Sequence, residues 1–436
     1  MLIEEGIRPR SGIRPSSSSG CPERVEGRDP GSVDRDAATR RTTVGCGVAD
    51  PVSIDSVAGT PRESRIPDPG SRCALSTEII HDVATFAALE AEWNDAVVRA
   101  GTPHPFLRHE WVATWWDSFN AGRQLHIVVV RDQGRIVAIA PLMRESALVY
   151  GLPIRRLALM ANDHTPRTDC VMAGRADDAY RAIWDALQAR IDEWDVLQFT
   201  QLHATSPTLA AMSQAARSAG LPIGTWKSND SPYVGLTGHW DDYWASLPAK
   251  FRSNVRNRLT RLKQIDEPRL EQLVEWPAIG PALRDAWRLE ASGWKDKEGT
   301  SICADATVQR FYTRLAERAA DRGWLRLFFL TAGRKRIAVS YSAVYDGRLF
   351  LLKTGHDREF HACSPFKLLM YLAAQEAYAT GLREIDFLGD AEPWKQEWTR
   401  AARSHEWLFV FSRSRRARLL HSLKFQMAPE IRKWRG

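Results

Sequence analysis

Apolar and polar positions along this chain follow two periods in turn. "TFAALEAEWNDAVVRA" sets Phe86, Leu89, Trp93 and Val97 at helical spacing and predicts a helix with one apolar stripe. "RHEWVATWWDSF" predicts a second. The period then drops to two. "QLHIVVVRDQGRIVAIAPLM" is a pair of β-branched runs around Asp132-Gln133-Gly134, the pattern of a hairpin. "DDAYRAIWDALQARI" predicts a helix, "WDVLQFTQL" a strand, and "TLAAMSQAARSAG" a helix closed by Gly220.

The later part of the chain repeats this order. "PALRDAWRLEASGW" and "VQRFYTRLAERAADRG" predict helices. "WLRLFFLTAGRKRIAVSYSAVYDGRLFLLKTG" predicts a three-stranded meander turning at Ala332-Gly333-Arg334 and Asp346-Gly347. "SPFKLLMYLAAQEAYATG" is a helix with Pro365 early and Gly381 just past its end. "REIDFL" is the next strand. The two hairpins align without gaps at an offset of 200 residues, Leu125 on Leu325, Val128 on Phe328, Val137 on Ile337 and Ala138 on Ala338. The expectation is an α/β chain of two related halves, 76–235 and 265–412, with mixed sheets flanked by helices. A basic helix, "AKFRSNVRNRLTRLKQ", lies in the connection 236–264, and a basic helical stretch, 413–436, closes the chain.

Residues 1–75 break the pattern. They are rich in Ser, Gly, Pro, Arg and Asp, and the first aromatic residue is Phe86. Such a segment buries too little apolar surface to offset its ordering entropy, so disorder is expected. A start codon assigned too early explains it equally well, because the methionine after Met1 is Met143.

Composition narrows the classes. The chain has 436 residues, which suggests two or three domains, and its 44% hydrophobic and 26% charged residues suit a soluble protein. No apolar run approaches the ~20 residues of a membrane-spanning helix, and the N-terminus has no apolar signal core. A cytoplasmic chain is expected. The six cysteines are scattered without a metal-ligand spacing, so free thiols and no metal site are expected. The formal charge of +7 permits an anionic partner such as a phosphate-bearing cosubstrate, an acidic membrane surface or nucleic acid.

Three stretches could carry chemistry. After the last meander strand, "HDREFHAC" leads to a helix starting at Ser364-Pro365. A helix N-terminus is a ready phosphate site, with Ser364 as N-cap and Lys367 in the first turn. Glycine-rich nucleotide loops are absent. "GLREIDFLGDAEPWKQEW" ends a strand in Asp386, Asp390, Glu392, Trp394 and Lys395. Ligands of open α/β sheets gather beyond such carboxyl ends. A carboxylate there could take a proton from an attacking amine or hydroxyl, and Lys395 could neutralise a phosphate or oxyanion. "LEASGWKDKEGTSI" repeats the pairing at Trp294-Lys295. Nucleophilic catalysis has thin support, since GxSxG is absent. The basic helix has Phe251, Val255, Leu259 and Leu262 on one face and Lys250, Arg252, Arg256, Arg258, Arg261 and Lys263 over the rest.

Taken together, "HPFLRHEWVATWW", "ANDHTPRTDC", "KFRSNVRNRLTRL", "SGWKDKEGTSI", "RIAVSYSAVYDGRLFLLKTGHDREFHACSPFKLLM" and "GLREIDFLGDAEPWKQEWT" resemble the BioF/CelD-like acetyltransferases of the GNAT superfamily, a group similar to the FemAB aminoacyltransferases. The resemblance covers roughly 76–412. It implies a GNAT fold in each half and acyl transfer from acetyl-CoA or another acyl-CoA, without a metal. It implies that Ala362, Cys363, Ser364, Pro365, Phe366 and Lys367 hold the CoA pyrophosphate, although Pro365 and Phe366 stand where the family has glycines. Asp386 would line the acyl channel, with Asp390, Trp394 and Lys395 at its mouth. Asp390 or Asp386 is the expected base and Tyr341 the expected acid; Lys353, Trp294 and Lys295 are further substrate contacts. The implied acceptor is an amine or hydroxyl of a sugar or surface-polysaccharide precursor, with peripheral membrane or biosynthetic-complex contact. Two alternatives stand beside it: a non-catalytic scaffold in exopolysaccharide assembly, and an aminoacyl-tRNA-dependent transferase. Residues 250–264 are too short for the coiled-coil arm of the latter, so nucleic acid is not the expected partner.

Overall fold

The computed structural model describes residues 74–292 and 301–427. The segment before residue 74, the Trp294-Lys295 pair and the end of the basic tail lie outside the described residues. Up to Gly235 the chain forms β1 (Ser76–Ile80), β2 (Arg123–Leu125), β3 (Ile127–Asp132), β4 (Arg135–Ala140), β5 (Leu142–Val149), β6 (Leu152–Leu159), β7 (Val171–Met172), β8 (Val196–His203) and β9 (Ile223–Gly235). After the basic helix, Ala249–Lys263, come β10 (Pro268–Leu273), β11 (Leu325–Ala332), β12 (Lys335–Tyr345), β13 (Arg348–His356), β14 (Glu384–Asp386) and β15 (Ala402–Phe411). The architecture is mixed α/β, with sheets flanked by helices, as the patterning predicts.

The internal repeat is real at the level of hydrogen-bond register. In β3–β4, Val130 faces Ala138 and Asp132 faces Arg135; in β11–β12, Leu330 faces Ala338 and Ala332 faces Lys335. A register shift follows Val130, and another follows Leu330. The hairpins therefore share pairing and bulge at the same offset of 200 that aligns their sequences. At the first turn Gln133 and Gly134 have φ 49° and 82°, and at Asp346-Gly347 the values are 48° and 66°. Two central residues at positive φ make the type I′ turn that matches strand twist. β1 and β10 each pair antiparallel with the first strand of their hairpin, and β6–β8 and β13–β14 are both parallel.

The halves then exchange strands. One eleven-stranded sheet runs β10-β11-β12-β13-β14-β9-β15-β8-β6-β5-β2, while β1-β3-β4-β7 form a second sheet. β9, from the first half, pairs with β14 of the second, and β15 inserts between β9 and β8. Neither β9 ("IGTWKSNDSPYVG") nor β15 ("ARSHEWLFVF") shows clean alternation, because each serves two neighbours and carries polar residues inward.

Helices cover both faces of the second half. Trp276–Ala291 and Ala306–Asp321 lie on one side, where Val339, Tyr341 and Phe350 join a core that also takes Trp93, Trp111 and Trp115 of the first half. Phe311 meets Trp111 edge-on at 5.9 Å across that seam. Buried aromatics of this size, ~150–250 Å² each, make the two halves one core. The opposite face carries Ala249–Lys263 and Pro365–Ala379, packed on Ile337, Ala338, Ile385 and Phe387. Two local expectations change. The first helix is two, Val83–Ala88 and Glu90–Arg99, meeting at Leu89. Ser364 does not cap its helix through its side chain: it sits at φ 46°, ψ 63°, a left-handed conformation, and makes no side-chain cap bond.

Candidate functional site

A parallel strand pair that diverges leaves backbone groups without partners. β13 and β14 pair only at Arg348–Glu384, Leu349–Ile385 and Phe350–Asp386. β13 continues to His356, but the chain after Asp386 turns away. Phe387 N–H bonds the Pro232 carbonyl at 3.0 Å, and Leu388 and Gly389 take φ 53° and 57°. A cleft therefore opens beside residues 351–356. Its floor is set by Gly355: a Cβ there would lie 2.3 Å from the Leu289 carbonyl and 2.5 Å from Glu290 Cα. Only glycine lets the end of Trp276–Ala291 press so close to the strand. Two open surface grooves, about 610 and 670 Å³, share no residue with this cleft.

The helix Pro365–Ala379 begins at one edge of the cleft. Its first amides are largely occupied: Ser364 N–H bonds His361 O, and the N–H groups of Lys367 and Leu368 both reach Ser364 O. Proline has no N–H to give. Positive charge comes instead from the basic helix. Arg258 donates to Ser364 Oγ, and Arg261 Nη1 donates to Ala362 O at 3.1 Å. Neither guanidinium makes an ion pair among the described residues. Each keeps further N–H donors in a rigid fork suited to phosphate. Lys367 sits 2.5 Å from Glu397 and over Phe251. Phe366 meets Trp394 edge-on at 5.2 Å, and Trp394 meets Phe387 at 5.7 Å, so the rings form one aromatic wall. Cys363 is buried. These residues fit a diphosphate through side-chain charge rather than through a cradle of amides.

Three of the expected polar contacts are structural. Asp386 is fully buried. One oxygen accepts from Arg167 at 2.5 Å and Arg403 at 3.3 Å; the other accepts from Ser231 at 3.4 Å and Leu388 N–H at 3.0 Å. A carboxylate has about four lone-pair sites, and here all are taken, so none is open to a substrate proton. Lys395 is also buried, and its ammonium reaches the Leu388 carbonyl at 2.8 Å, the Asp390 carbonyl at 2.9 Å and Glu392 Oε2 at 3.1 Å. Its three donors brace the positive-φ turn and leave nothing for an oxyanion. Tyr341 lies in the core with its hydroxyl donated to the Tyr312 carbonyl at 3.1 Å, and burial pushes its pKa well above the ordinary phenol value. It is no acid for a leaving group. Asp390, by contrast, is exposed at the mouth, and its carboxylate makes no hydrogen bond or ion pair among the described residues.

A residue from the first half stands near Lys353 of β13. His164, in the "ANDHTPRTDC" loop, stacks on Phe119 at 5.7 Å and 15°. Its Nδ1 is 3.3 Å from the Tyr312 hydroxyl, and Lys353 lies over the Tyr312 ring at 5.3 Å. Burial, reinforced by the Lys353 charge, lowers the His164 pKa to about 4. The ring is therefore neutral at pH 7 and keeps one nitrogen lone pair. If Nδ1 carries the proton and donates to Tyr312, Nε2 is the acceptor. Lys353 lies on β13 beside the cleft, while His164 and Tyr312 carry no local signal. Only the interlocking of the two halves brings them together. Among the described residues, no group of three or more His, Cys, Asp or Glu is arranged to hold a metal ion, and no helix is long and apolar enough to cross a membrane.

Residues 249–396 match the model of the acetyltransferase (GNAT) domain. The match spans the basic helix, the diverging strands and the Lys395 turn. The crystal structure of FemX superposes with a TM-score of 0.54 at 13% identity, covering 80% of this chain and 100% of FemX, a likeness of fold. The C-terminal domain of a putative lysylphosphatidylglycerol synthetase from Agrobacterium fabrum gives 0.48 at 14% identity, covering 77% and 95%. A tandem GNAT protein from the clavulanic acid biosynthesis pathway gives 0.41 at 15%, covering 78% and 100%. No curated protein matches the sequence. Residues 249–396 thus carry a GNAT-type acetyltransferase domain, and the likeness to FemX is one of fold.

Proposed function

We propose that this protein transfers an acyl group from an acyl-CoA, acetyl-CoA in the simplest case, to an amine or hydroxyl of a sugar or surface-polysaccharide precursor. The observation that carries the reading is the β13–β14 cleft, with Arg258 and Arg261 at one edge and neutral His164 at the other. Bound acyl-CoA would supply the thioester. Arg258, Arg261 and Lys367 would hold its phosphates, with the Phe366–Trp394 wall beside the rest of it. His164 Nε2, neutral at pH 7, would take the acceptor's proton as the new acyl bond forms, while the C–S bond breaks and CoA leaves as the thiolate. Asp390 and Trp394 stay at the mouth as acceptor contacts. The sugar acceptor and a cytoplasmic location, with contact to a membrane face or a biosynthetic complex, rest on the family resemblance and belong to the same proposal.

Isothermal titration of acetyl-CoA and CoA into the full chain tests it. Micromolar binding, weakened at least about tenfold in Arg258→Ala/Arg261→Ala, is the expected result; one lost charge-assisted bond is worth ~1.5–3 kcal/mol. A folded protein that binds neither ligand overturns it and favours the scaffold reading, which the occupied helix amides support.

A further inference from the structure

At the centre of the long sheet, where β15 runs between β9 and β8, the core turns polar. Strand alternation puts Arg403 and His405 of β15 on one face. Arg403 pairs with Ser231 of β9, and His405 pairs with His203 of β8, their rings 5.7 Å apart and edge-on. The ladder is irregular here: β15 shifts register on both sides between Ser404 and Leu408, and Gln201 of β8 has φ 52°. Arg167, itself buried, and half-buried His104 lie within electrostatic range of His405.

Four buried atoms in this group have no hydrogen-bond partner: both ring nitrogens of His405, Nε of Arg167 and Nδ1 of His104. His405 is 1% exposed and Arg167 8%. The Arg403 carbonyl lies near enough to favour protonated His405 slightly, but neither ring nitrogen makes a hydrogen bond with it. Buried polar groups are almost always paired, so such a concentration asks for a guest. Burial, with the charge of Arg167, holds His405 at about 4, and burial keeps His104 well below its ordinary value. Each ring therefore offers one donor and one acceptor.

That inventory selects the guest. A carboxylate or phosphate satisfies the Arg167 and His405 N–H groups but sets its lone pairs against the remaining His405 nitrogen. A cation meets Arg167. A hydroxyl both accepts and donates, and two adjacent hydroxyls can reach Arg167 and His405 together. We propose that the cluster of His104, Arg167, His203 and His405 binds a neutral, vicinally hydroxylated group, and holds the non-reacting hydroxyls of the acceptor. The second clause rests on the acyl-transfer reading and on Arg167 and His164 sharing one loop. The first clause does not depend on it.

The full chain labelled at histidine Cε1 is titrated with N-acetylglucosamine, and in parallel with succinate, while the imidazole resonances are followed by NMR. His405→Phe assigns the His405 signal, and near-ultraviolet circular dichroism checks its fold. Saturable shifts of His405 and His104 with the sugar, and none with succinate, are expected. Arg167→Lys keeps a cation beside Asp386 but loses the Nε–H, and should weaken the sugar about tenfold, the worth of one hydrogen bond to a charged group. The proposal is overturned by a folded wild type whose histidines do not respond to the sugar, by saturable binding of succinate instead, or by a His104 response unchanged in His405→Phe. Acetyl-CoA added to the same samples separates the two readings: sugar binding without CoA binding keeps the pocket and removes the transferase, and the reverse removes the pocket alone.

Discussion

Arg167 of the first half donates to Asp386 of the second at 2.5 Å, and both are buried. The pair fastens the "ANDHTPRTDC" loop under β14 and so delivers His164 to the cleft. Arg403, 3.3 Å from the same oxygen, stays beside Asp386 when Arg167 is removed, so the loss is that of one buried charge-assisted bond rather than of the whole countercharge. Arg167→Met should therefore cost about 1.5–3 kcal/mol in urea unfolding. Arg167→Met/Asp386→Leu should recover part of that loss, since Arg403 keeps Glu384 and no carboxylate is left short of donors. Equal losses in the single and double variants would show that packing, not charge, sets the cost.

Lys395→Met should destabilise the Leu388–Asp390 turn. Two carbonyls and the Glu392 carboxylate lose their donor, and Leu388 holds positive φ. A loss of roughly 2–3 kcal/mol in the thermal midpoint analysis is expected, with acetyl-CoA affinity falling only as far as the fold does. A selective loss of turnover at full stability would return Lys395 to the chemistry.

His164→Gln should retain acetyl-CoA binding and lose turnover by roughly 10²–10⁴-fold, the usual worth of a positioned base. Rapid-quench assay of acyl transfer reads this directly. Wild-type turnover in the variant would move the proton acceptor to Asp390.

Acid should weaken this fold well above the carboxylate range. His126, His164 and His405 are each lowered to about 4, chiefly by burial. A group depressed in the folded state takes up protons first in the unfolded state, so stability rises with pH between about 4 and 6.5 and is lost as pH falls through that window. Each contributes on the order of 1–2 kcal/mol between pH 7 and pH 5. Urea midpoints at pH 7.5, 6 and 5 should fall in that order, and His405→Phe should flatten the slope. A pH-independent midpoint would place these rings in contact with water.

Gly355→Ala should be among the costliest small substitutions, because the new Cβ meets main chain at Leu289 and Glu290 rather than a movable side chain. A loss of about 1–3 kcal/mol is expected from denaturant unfolding, as for other overpacked sites. Gly220→Ala meets nothing within 4 Å and pays only for its positive φ, so it serves as the comparison.

By itself the sequence determined the elements whose signal is local. Helical stripes such as Phe311–Leu315–Ala319, the two type I′ turns and the repeated hairpin are written in residues a few places apart, where side-chain period and turn chemistry act directly. The cleft's position was legible too, at the end of "REIDFL" and the start of the Pro365 helix. Tertiary structure alone decided which side chains are left open there. Asp386 and Lys395 look reactive in sequence, yet their partners fill every donor and acceptor site. Arg167 and Asp386 stand 219 residues apart, and Tyr312 and His164 stand 148 apart. A hydrogen bond depends on where two groups meet in space, and here that meeting waits on the exchange of β9 and β15 between the halves.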